Sequence, residues 1–82
     1  MKYDECRVIL ACNLSEYRTI NGISQEELAL RIGIEVKSYA KIERAEVYTN
    51  LKNLDRISRE TGMTPAQLLT PFYQSSPLAS NQ

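Results

Sequence analysis

The sequence predicts an all-α domain of five helices. Apolar residues recur at steps of three and four along most of the chain. Strand-like alternation is absent, and so are repeats and low-complexity tracts. The periodic runs are separated by glycines at Gly22, Gly33 and Gly62 and opened by capping residues at Ser24, Asn50 and Thr64.

The first helix is expected from Tyr3 to Thr19, with Leu10, Leu14 and Tyr17 on one face and Cys6 and Ile20 near it. Asn21-Gly22 stops it. Ser24 and Glu27 form an S-x-x-E capping box for a short second helix, Gln25 to Ile32, whose Leu28, Ala29 and Ile32 point inward. Gly33 breaks that helix. Ile34 packs across the turn, and a third helix follows from Glu35 to Arg44 with Tyr39 and Ile42 inward. After a loop over Ala45 to Thr49, Asn50 caps a fourth helix carrying a Leu51, Leu54 and Ile57 stripe. Thr64-Pro65-Ala66-Gln67 reads as cap, first-turn proline and capping-box glutamine of a brief fifth helix ending near Leu69.

The 82 residues fit one small domain, expected over residues 1–70, with 71–82 as a tail. Ten basic residues balance ten acidic ones and there is no His. A nucleic-acid role therefore requires that positive charge be gathered on one face. Cys6 and Cys12 lie six positions apart, a turn of about 600° along a helix, so they point to different sides. They read as buried, reduced thiols of a cytoplasmic protein. The start, MKYDECR, is unlike a secretory signal, and no run is long enough to span a membrane. No metal or cofactor is expected. Enzymatic chemistry is disfavoured, since neither Cys has an evident activating partner and no glycine-rich phosphate loop is present.

Residues 22–44 pose the functional question, because two short helices about a glycine are a general packing unit. The residues themselves narrow it. They run Gln25-x-x-Leu28-Ala29-x-x-x-Gly33-Ile34, then to Tyr39 and Ile42-Glu43-Arg44. With Leu51-x-x-Leu54-x-x-Ile57 and Gly62-Met63-Thr64, the stretch from Leu14 to Leu69 resembles the lambda-repressor-like (Xre/Cro-type) helix-turn-helix family. That resemblance implies a third helix entering the DNA major groove and two subunits reading half-sites one turn apart.

Carried onto this sequence, it places Val36, Lys37 and Lys41 at base edges. Gln25, Ser38 and Arg44 fall at phosphates, and Arg18 and Glu43 in an ion pair between first and third helices. Lys52, near the start of the fourth helix, is a further phosphate candidate. The sequence departs from the family pattern at Glu35, where Ser or Thr often caps the third helix, at Val36, where a polar reader is usual, and at Ala45 and Thr61. The apolar cluster of Leu68, Leu69, Pro71, Phe72 and Tyr73 suggests a homodimer interface formed by Leu68, Leu69, Phe72 and Tyr73. The expected function is a transcriptional regulator that binds a palindromic operator in double-stranded DNA. The alternative is an antitoxin or adaptor of the same fold whose main partner is a protein, such as a toxin.

Overall fold

The computed structural model describes residues 5–75 as five α-helices and one short 3-10 turn, with no strand among them. The helices are α1 (Cys6–Asn21), α2 (Gln25–Ile32), α3 (Val36–Glu43), α4 (Leu51–Thr61) and α5 (Pro65–Leu68), followed by the 3-10 turn Tyr73–Ser75. The three predicted caps form, but the Ser24 box closes on one side only, the Glu27 carboxylate facing Arg31 at 3.6 Å instead of the Ser24 amide. Ser24 accepts from the Glu27 amide, Asn50 from the Asn53 amide, and Thr64 and Gln67 form a complete capping box. Glu35 caps α3 by backbone conformation alone, without a side-chain hydrogen bond.

The core is one cluster that takes Leu10 and Leu14 from α1, Leu28, Ala29 and Ile32 from α2, and Tyr39 and Ile42 from α3. Leu54, Ile57, Met63 and Leu68 complete it, with Ile34 packed against its edge. α3 lies on α1 and α2, α4 lies on α2 and α5, and α1 also meets α5 and the 3-10 turn. Gly33 makes the tight reversal possible. It sits at φ 90, where a side chain would strain the backbone, and the amides of Gly33 and Ile34 both donate to the Ala29 carbonyl. Arg56 of α4 then donates to the Gly33 carbonyl at 3.1 Å and pins the turn from outside.

Several expectations change. α1 begins at Cys6, where Glu5 is extended as its N-cap, and it runs on to Asn21; Tyr3 lies outside the described residues. Ile20 and Cys6 occupy the end turns of α1, which overhang the core, and both are exposed. Cys12 is exposed as well, because two helical steps from Leu10 carry it to the opposite side of α1. Neither thiol is a core residue. Leu51 opens α4 in a first turn that projects past its packing partners, so it remains 82% exposed while Leu54 and Ile57 are buried.

One interior polar residue went unread in the sequence. Asn13 is 1% exposed, and its Nδ2 donates to the carbonyls of Leu68 at 2.8 Å and Thr70 at 3.0 Å. It thereby satisfies two carbonyls freed where α5 ends. In return, Gln74 Nε2 donates to the Asn13 carbonyl at 2.8 Å. The spacing Leu10-Asn13-Tyr17 places Asn13 on the inward face of α1, which is the signal that could have revealed it. Asn13→Ala leaves those carbonyls without their donor. It is expected to lower stability by about 2 kcal/mol, read as a shift of the urea midpoint at unchanged helix content.

Candidate nucleic-acid interface

α3 has eight residues, too few to be stable by itself, so its position is set by what its inward side touches. Tyr39 is fully buried and Ile42 nearly so. Glu43 ends the helix with its side chain only 6% exposed, and Arg18 of α1 meets it with both Nε and Nη2. The Nε contact to Oε2 is 2.9 Å, and Arg18 Nη1 also donates to the Ile23 carbonyl at 3.1 Å. Burial raises the Glu43 pKa, but the hydrogen bonds from Arg18, with the Tyr39 phenol and the Gln25 amide close by, outweigh it and hold the carboxyl below its ordinary value. Burial, and then the neighbouring carboxylate, push the Tyr39 phenol well above its usual range, so Tyr39 stays neutral.

With its inner side held, α3 turns Val36, Lys37, Ser38 and Lys41 outward, all exposed. Ser38 and Lys41 line an open cleft of about 180 Å³ with Val47, Tyr48, Asn50 and Asn53. Residues 45–49 form the loop expected between α3 and α4. The fold brings its Tyr48 and the first turn of α4 beside the third helix, where Tyr48 is 68% exposed. Asn50 and Asn53 are amides able to bond phosphate or base edges. Lys52 is exposed on that same first turn of α4. Gln25 is half-buried at the start of α2, near the Glu43 carboxylate, with amide hydrogens to donate.

Arg44 departs from the expected phosphate set. Its guanidinium pairs with Glu46, Nε to Oε2 at 2.7 Å, and it lines a groove against α1 rather than the cleft holding Ser38 and Lys41. Leu68 is corrected too. It is fully buried because α5 packs onto α1 and α4, so it cannot form a dimer surface. Leu69 and Tyr73 pack partly against the core, and of the four candidates Phe72 alone projects, at 63% exposure.

The charge distribution resolves the neutral composition. Arg7, Arg18, Arg31, Arg44 and Arg59 each pair with a carboxylate, and Arg56 is spent on the Gly33 carbonyl. Lys37, Lys41 and Lys52 form no ion pair among the described residues, and all three lie on α3 and the start of α4. The profile of the helix-turn-helix family matches residues 14–68, which span all of α2, α3, α4 and α5.

The chain belongs to the lambda-repressor-like helix-turn-helix family.

A described relative is a Neisseria hypothetical transcription factor from Neisseria meningitidis serogroup B (strain ATCC BAA-335 / MC58). It is 31% identical over 77 residues, covering 94% of this chain and 73% of the relative. No solved structure matches the chain. Membership of the helix-turn-helix family makes the protein a DNA-binding transcriptional regulator. No helix among the described residues is long and apolar enough to cross a membrane, and no group of His, Cys, Asp or Glu among them could hold a metal ion.

Two consequences are measurable. Because the folded Glu43 pKa lies below its ordinary value of 4.5, the stability from this pair is complete above that value. It is lost as pH falls through the lower folded value. Glu43→Gln is therefore expected to lower the urea midpoint at neutral pH and to flatten its decline below about pH 4.5. Glu35→Ser adds the missing cap bond and removes a negative charge beside Val36. It is expected to stabilise the fold by about 0.5–1 kcal/mol in thermal unfolding and to tighten DNA binding in a fluorescence-anisotropy titration.

Proposed function

We propose that this protein is a sequence-specific regulator that binds a palindromic operator as a homodimer, one α3 entering the major groove at each half-site. The carrying observation is the set of unpaired lysines on α3 and α4, in a chain whose described arginines are all engaged within the fold. Lys37 and Lys41 donate to guanine O6 and N7, and Val36 meets a thymine methyl. Gln25, Ser38 and Lys52 hold phosphates on either side and fix the approach of α3. Such a protein regulates by occupying DNA and blocking or helping polymerase.

A second reading, a protein partner such as a toxin docked on the same face, draws on the exposure of Tyr48 and Leu51 beside α3. The two readings diverge in a mobility-shift titration on operators selected from random DNA. Lys37→Ala with Lys41→Ala is expected to abolish operator preference while the circular dichroism spectrum stays unchanged. Lys52→Ala is expected to weaken all sequences alike and to reduce the log–log salt slope by about 1. Wild-type protein without salt-dependent affinity for any DNA, co-purifying with another protein, would favour the second reading.

A further inference from the structure

An open groove of about 430 Å³ runs between α1 and the turn that follows α3. Val8, Ala11 and Ala45 form its apolar floor, a small buried cluster separate from the main core. Ala45 reaches the floor from a left-handed backbone, φ 58. Cys12 lies on the wall, and the charged lining is Glu16, Arg44 and Glu43, the last already held by Arg18. None of Val36, Lys37, Ser38 and Lys41 lines it.

Phe72 stands directly beside this groove. With Pro71 it borders Val8, Ile9 and Cys12. Its φ is 56, a conformation that bulky side chains rarely adopt, and its ring is left 63% exposed. An apolar hole and an aromatic knob thus share one surface, with Val8 and Cys12 common to both.

We propose that a second copy of this chain covers the groove, each subunit inserting Phe72 onto the Val8, Ala11 and Ala45 floor of the other. The proposal rests on the operator-binding homodimer reading and names its interface. The shared residues set the geometry, because a two-fold axis beside Cys12 places each knob in the opposite hole, an isologous contact. The rim charges fit the same rotation. Glu16 of one subunit faces the partner's Arg44, and a rim carrying both signs is complementary to itself. A rim of one sign would instead require an oppositely charged partner. Phe72 supplies the buried aromatic anchor that such contacts depend on. The groove meets α3 only at its C-terminal end, so pairing leaves Val36 and Lys37 uncovered.

The test is sedimentation velocity over a concentration series without DNA. Wild type is expected to dimerise, and Phe72→Asp to weaken self-association about 30-fold or more while remaining folded by circular dichroism. Leu30→Asp, at an exposed leucine of α2 that lines neither the groove nor the Phe72 pocket, is expected to change nothing. Arg44→Glu alone is expected to weaken the dimer, and Glu16→Arg with Arg44→Glu to restore it. In a Cys6→Ser background, a short bismaleimide is expected to link Cys12 to the partner's Cys12. A monomeric wild type overturns the proposal. So does a dimer indifferent to Phe72 and to the charge reversal. A mobility-shift titration run alongside separates the two claims. A Phe72-dependent dimer that binds no DNA leaves the interface standing and removes the operator reading. A DNA-binding dimer that ignores Phe72 does the reverse.

Discussion

Only one side of α3 is free to meet DNA because the other is anchored through Arg18, whose guanidinium reaches Glu43 at the end of α3 and the Ile23 carbonyl before α2. The end of α1 and the link to α2 are thereby tied to the far end of α3 by one planar fork of donors. An arginine is suited to this task and a lysine is not, since two parallel bonds fix orientation as well as distance. Glu43, nearly buried, would be costly to leave charged without those donors. Because α3 is too short to be stable alone, its helicity and its aim both follow from this anchorage and from the burial of Tyr39 and Ile42.

The same division of labour runs through the charged residues. Arginines serve the fold: Arg18 locks α1 to α3, Arg56 closes the turn at Gly33, and Arg31 and Arg59 make pairs along their own helices. Lysines on α3 and α4 are left as mobile point charges, which can adjust to a phosphate or a guanine edge. A chain of zero net charge can therefore present a positive face, at the cost of Glu35 lying beside it. Glu35 favours the positive end of the α3 dipole, yet it opposes the phosphates that the lysines attract.

The groove and its knob extend beyond the stretch matched to the family, although Ser15, Glu16, Glu43, Arg44 and Ala45 of the groove lie within it. Val8, Ala11 and Cys12 precede it and Phe72 follows it. The proposed self-association surface thus adds residues from both sides of that stretch to the unit that carries α3. Asn13 joins them, because it ties the end of α5, and hence the approach to Phe72, back onto α1.

Local physics decided much of this protein in advance. Helix periodicity, the Ser24, Asn50 and Thr64 caps and the left-handed Gly33 turn depend on residues a few positions apart, so α2, the start of α4 and the α5 capping box are readable directly. The helix-turn-helix motif is legible for the same reason, as is the expectation that Val36, Lys37 and Lys41 face outward. What the sequence could not decide is which half of an apolar stripe meets a partner. Cys6, Ile20 and Leu51 have helical spacing that suits a core, but they sit on turns that overhang their neighbours and remain exposed. Leu68 went the other way, buried because α1 and α4 close over α5. Pairing was equally hidden: Arg56 to the Gly33 carbonyl and Asn13 to Leu68 depend on how the chain folds back on itself, and spacing along one helix carries no record of that.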